Sequence, residues 1–165
     1  MSSHRRVRII SAIALLVGIA LLVTLANFGQ WRASYTEGHA HACGALQYTP
    51  GSLLTATTDA QAAEACFADA LPRCQPATLI VGIRGVDTSA LDTFLIQPPF
   101  NSPFGPLGAC QIVLSVVANG VASLDRTETV TCQGIALTST SLTVYSCGTD
   151  GDMTLPATQG APLTS

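Results

Sequence analysis

The sequence predicts an α+β domain carried behind an N-terminal membrane helix. Three features point there. Ile9 to Phe28 is a run of twenty residues without a charge. Thr58 to Leu71 repeats apolar residues at helical spacing and is closed by Pro72. After it come four or five short runs of β-branched and aliphatic residues, bounded by Gly, Pro, Asn or Ser. Consecutive strands with short connections pair antiparallel, and one helix on one face of such a sheet makes an α+β layer.

A helix of about twenty residues spans roughly 30 Å, the thickness of a bilayer's hydrocarbon core. Arg5, Arg6 and Arg8 crowd its N-terminal side, and the next charge is Arg32. The positive-inside rule then assigns residues 1–8 to the cytoplasm, 9–28 to a signal-anchor span and the remainder to the extracytoplasmic side. Trp31 falls at the far interface, where indoles concentrate. Ser11, Gly18 and Thr24 suit a spanning helix, since small residues pack closely and hydroxyls bond back to helix carbonyls. The competing reading is a signal peptide cleaved near Thr24-Leu25-Ala26, which leaves a secreted domain. Its apolar core would need only about 7–15 residues, so the length of the run favours the anchor. No Leu-x-x-Cys closes the run, and no glycine cleavage site followed by glutamate marks a pilin.

Downstream, residues 29–57 read as a juxtamembrane linker, 58–154 as a disulfide-stabilised domain and 155–165 as a disordered tail. Only 10% of the 165 residues are charged, and every basic one is Arg. From Trp31 onward four Arg face ten acidic residues, a net of −6. Such a domain lacks the basic patch that nucleic acid or anionic lipid would require.

The helix opens on Thr58-Asp59-Ala60-Gln61, which fits a capping box. Its stripe is Ala63, Cys66, Phe67, Ala70 and Leu71, and Pro72 stops it. Strands follow at Thr78–Arg84, Leu91–Gln97, Cys110–Ala118, Thr127–Gly134 and Leu142–Cys147, with Val86 to Ala90 as a turn. Ala45 to Tyr48 offers a short edge strand. In element order alone this layout resembles the cystatin and NTF2-like rolls. The resemblance carries no motif, so no function travels with it.

Cys43, Cys66, Cys74, Cys110, Cys132 and Cys147 all follow the membrane segment. Even number and extracytoplasmic placement imply disulfides, and without C-x-x-C pairs a zinc site is disfavoured. Directly opposed residues in an antiparallel hairpin have position numbers of constant sum. A Cys110–Cys132 pair centres its hairpin on residue 121, beside Asn119-Gly120, a strong turn signal. A Cys132–Cys147 pair centres on Ser139-Thr140 instead. The Asn-Gly turn favours Cys110 with Cys132. Cys43, Cys66, Cys74 and Cys147 are then left without assigned partners.

Candidate chemistry is sparse. His39, His41 and Cys43 alternate along an extended chain, so their side chains share one side and could hold Cu or Zn. Against that, a cystine at Cys43 would leave two histidines in a linker. Asp150-Gly151-Asp152 has too few oxygens for a calcium loop and suits a turn. Asp87 and Asp92 could form a carboxylate pair for hydrolysis, but both also suit turn positions. No His or Lys follows Thr58 to serve a nucleophile, and no cofactor-binding motif is present. Pro98 to Gly108, PPFNSPFGPLG, carries four prolines with Phe100 and Phe104. Prolines hold a loop in one shape, and an exposed aromatic anchors a partner. The expectation is a non-enzymatic, membrane-anchored binding domain that takes a protein, a surface polymer or a small ligand through Phe100 and Phe104. A carboxylate hydrolase and a metal-handling protein are its rivals.

Overall fold

The computed structural model describes residues 3–49, 52–56, 60–85, 87–102, 105–120 and 126–156. The chain divides into two compact units, Met1–Tyr35 and Thr36–Ser165. The first is the body of helix α1, Ser3–Glu37. Thr24 Oγ1 donates to the Leu21 carbonyl and Asn27 Nδ2 to the Val23 carbonyl, so these polar groups are satisfied within the helix. Its side chains are described without a break from Ile13 to Thr24, and all of them are exposed. Among the described residues no helix is long and apolar enough to cross a membrane.

The second unit is α+β. Its large sheet has six strands in the order β2-β1-β3-β4-β7-β8. These are β1 (His41–Thr49), β2 (Ser52–Ala56), β3 (Ala77–Arg84), β4 (Thr88–Gln97), β7 (Gln111–Gly120) and β8 (Arg126–Cys132). Helix α2 (Ala60–Ala70) lies in the crossover between β1 and β3. A small hairpin, β5 (Phe100–Ser102) and β6 (Gly105–Leu107), interrupts the β4–β7 connection. A three-stranded sheet β11-β10-β9 follows, from β9 (Gly134–Leu137), β10 (Ser141–Tyr145) and β11 (Met153–Pro156).

The β3, β4 and β7 strands form an antiparallel meander of the kind that alternation predicts. The wholly antiparallel sheet needs correction, because β1 runs parallel to β3. The linker also needs correction, because Leu46 and Tyr48 of β1 are fully buried. A bulge explains why this strand was hard to see. The register shifts between Ala42 and Gly44, where Gly44 takes φ 148°. Buried residues therefore fall at 43, 46 and 48, and the period of two is broken after Cys43. The expected tail begins late as well: Leu155 and Pro156 are buried in β11, and the remainder from 157 lies outside the described residues.

α2 packs against β1 and β3 on the large sheet and against β9 and β10 on the small one. Its stripe is as expected: Ala63, Phe67 and Ala70 are buried, and Phe67 meets Phe94 edge-on with ring centroids 6.4 Å apart. Thr58 and Asp59 of the capping box lie outside the described residues. Gln61 Nε2 donates to the Ser139 carbonyl on the β9–β10 turn. At the other end the amides of Cys74 and Gln75 donate to the carbonyls of Leu71 and Ala70, and Cys74 takes φ 50°. That is a Schellman closure with cysteine in the left-handed position, and Pro72 makes further helix impossible. Arg73 Nε caps the Asp69 carbonyl.

Candidate functional site

The disulfides are Cys43–Cys66, Cys74–Cys110 and Cys132–Cys147. Three bridges within one small domain point to an oxidising compartment. The Cys110–Cys132 pairing is overturned. In the β7–β8 hairpin Cys132 stands opposite Ile112, two residues from the expected register, and Cys110 precedes β7. The left-handed turn at Cys74 reverses the chain after α2, and Cys74 bonds Cys110.

The same bridges decide the metal strip. Cys43 is a half-cystine, so it has no thiolate to offer beside His39 and His41. Both histidines are exposed, and no group of three metal-binding side chains occurs among the described residues. The carboxylate pair is likewise not assembled. Asp87 is exposed in the β3–β4 turn, whereas Asp92 is buried on the core face of β4, in register with Val81 and Val116. Asp152 closes a turn: its Oδ1 accepts the Ser146 amide at 2.8 Å, and the Cys147 amide donates to the Gly151 carbonyl.

Two of the open clefts among the described residues bear on the candidate sites. One, of about 270 Å³, is lined by His41, Cys66, Asp69, Arg73, Gln75 and Pro76, at the C-terminal end of α2. The other, of about 170 Å³, lies on the outer face of the large sheet around Gly82, Leu91 and Val117, with Gln47, Arg84 and Asn119 among its polar residues. Neither brings two carboxylates together.

The Pro98–Gly108 segment is an antiparallel hairpin, with Phe100 opposite Leu107 and Ser102 opposite Gly105. Its two strands pair with each other and belong to neither larger sheet. Phe100 is half-buried at its base, and Phe104 lies outside the described residues.

Sequence reasoning missed Glu64. This carboxylate has no exposed surface, and neither oxygen has a hydrogen-bond partner. Burial pushes its pKa up to about 7. Tyr48, whose hydroxyl donates to the Pro156 carbonyl at 3.1 Å, is raised above the usual phenol range, first by burial and then by the neighbouring Glu64. The signal was present: Ala60, Glu64, Phe67 and Leu71 follow the spacing i, i+4, i+7, i+11 of one helix face.

No family model, curated protein or solved structure matches the chain.

Proposed function

We propose that the chain is a membrane-anchored, non-enzymatic binding protein whose extracytoplasmic domain captures a partner protein through the Pro98–Gly108 hairpin. The observation that carries this reading is the hairpin itself. Among the described residues its strands pair only with each other and belong to neither larger sheet, which leaves this hairpin outside the sheet framework as the segment best suited to meet a partner. Four prolines reduce the entropy lost when it docks, and Phe100 and Phe104 supply aromatic anchors. The net charge of −6 beyond the N-terminal run disfavours nucleic acid and anionic lipid as partners.

The anchor rests on two supports. The uncharged run Ile9–Phe28 has the length of a span and an arginine cluster before it. The side chains of α1 from Ile13 to Val23, among them Leu15, Leu16, Leu21 and Leu22, are all apolar and all exposed. A helix apolar all round requires apolar surroundings, and a bilayer provides them.

The test is photocrosslinking of the full chain in its native membrane, with the photoreactive group at position 100 and, as control, at position 87. The expected result is a discrete protein adduct from position 100 that disappears when Phe104 is replaced by Ser, with the melting temperature unchanged. Equal adducts from both positions, or a large fall in melting temperature in Phe100→Ser and Phe104→Ser variants, would refute the assignment.

A further inference from the structure

A carboxylic acid occupies the middle of the face by which α2 seats on both sheets. Glu64 is wholly buried with two unpartnered oxygens, one turn before Phe67 and one turn after Ala60. We infer that Glu64 is a proton-operated latch: when neutral it lets the N-terminal half of α2 seat between the sheets, and when ionised it drives that half away.

Among the described residues of the strands packed against α2, no cation faces the charged form. β3 carries only Arg84, exposed at its end, and β9 carries no titratable residue. β10 carries only Tyr145, which is exposed, alternating in sequence with buried Leu142 and Val144. β11 has none. β1 carries His41, exposed at its start, and Tyr48, whose hydroxyl already serves the Pro156 carbonyl. One strand beyond β3, Asp92 adds a second acid to the core face of β4 and no cation. Within α2 the other acid is Asp69, exposed. A carboxylate there is thus desolvated without compensation, whereas a neutral acid costs far less.

The covalent frame decides where such a latch acts. Cys66 ties α2 to β1 through Cys43, and Cys74 ties the chain just past the helix to Cys110. Both ties lie on the C-terminal side of Glu64. The segment before it is held by non-covalent contacts, including the Gln61 bond to Ser139. Ionisation therefore frays residues 60–65 while the bridges keep the domain assembled.

The direction in pH follows from the raised carboxyl. Its folded-state value of about 7 exceeds the ordinary 4.5. The folded form binds the extra proton between those values. The stabilisation is full below about 4.5, is lost as pH rises towards 7, and is absent above it.

The experiment compares the full chain with Glu64→Gln, which keeps the shape and removes the charge. The readouts are the unfolding equilibrium from denaturant titration and amide exchange of Glu64 to Phe67, corrected for intrinsic rates, from pH 4.5 to 8.5. The ratio of wild-type to variant unfolding constants is expected to rise by about two orders of magnitude across that range, with exchange of these amides rising alongside it. A ratio constant within about threefold would overturn the proposal. If Glu64→Gln does not fold, infrared titration of the wild-type protein decides. A protonated carboxylic acid that persists at pH 6 in the folded chain supports the latch, and its absence contradicts it.

Discussion

Cys132 and Cys147 stand opposite one another at the open end of the β9–β10 hairpin, their Cα atoms 4.2 Å apart. The hairpin register runs Leu142 with Leu137 to Tyr145 with Gly134, and the Gln133 amide donates to the Tyr145 carbonyl one step further. Its turn is held by Thr138, whose hydroxyl accepts the amides of Thr140 and Ser141. A threonine side chain thus fixes a register that lacks an Asn-Gly pair.

Non-reducing peptide mapping should yield Cys43–Cys66, Cys74–Cys110 and Cys132–Cys147, and no free thiol. Replacing both Cys132 and Cys147 by Ser opens a loop of sequence separation 15 and should cost about 3 kcal/mol in denaturant unfolding. A Cys110–Cys132 peptide pair would contradict the register described here.

Phe67 has no exposed surface and joins α2 to β4 through Phe94. Phe67→Ala should lower unfolding free energy by about 3–5 kcal/mol, as for other buried phenylalanines. A loss under about 1 kcal/mol would mean that the ring is not in the core.

Gly148 holds φ +59° directly against Val130, where an added Cβ would come within 2.9 Å of the valine Cγ1. Gly148→Ala should cost roughly 1–2 kcal/mol from the left-handed backbone alone, and more if Val130 cannot shift. Val130→Ala in the same chain should recover part of that loss. No recovery would separate the backbone effect from the contact.

How legible each element was depended on how cleanly its residues kept one period. β3, β4 and β7 are continuous runs of aliphatic and β-branched residues bounded by turn residues, so their limits are readable to within a few residues. β1 was hidden by the Gly44 bulge, which puts Cys43 and Leu46 on the same face. β11 is four residues long and ends in proline, too short for a period to emerge. The parallel β1–β3 contact has no local signature, because its partners are separated by α2. The Cys110–Cys132 expectation chose the right hairpin and missed its register by two residues. A slip of two preserves which face is buried, so the hydrophobic pattern could not detect it. Glu64 lies beside the expected stripe of Ala63, Cys66, Phe67, Ala70 and Leu71, on the buried face of α2, and a pattern of apolar residues does not include a carboxylic acid. The hairpin at Pro98 to Gly108 was legible as a proline-stiffened segment, though not as paired strands.

The proposed anchoring stands or falls on whether the C-terminal domain is exposed at the cell surface. Protease treatment of intact cells, followed by detection of the C-terminal domain, measures this directly. The proposal of an N-terminal anchor with an extracytoplasmic domain predicts loss of the domain from intact cells, with protection in inverted vesicles until detergent is added. Survival on intact cells, with cleavage in inverted vesicles, would contradict it.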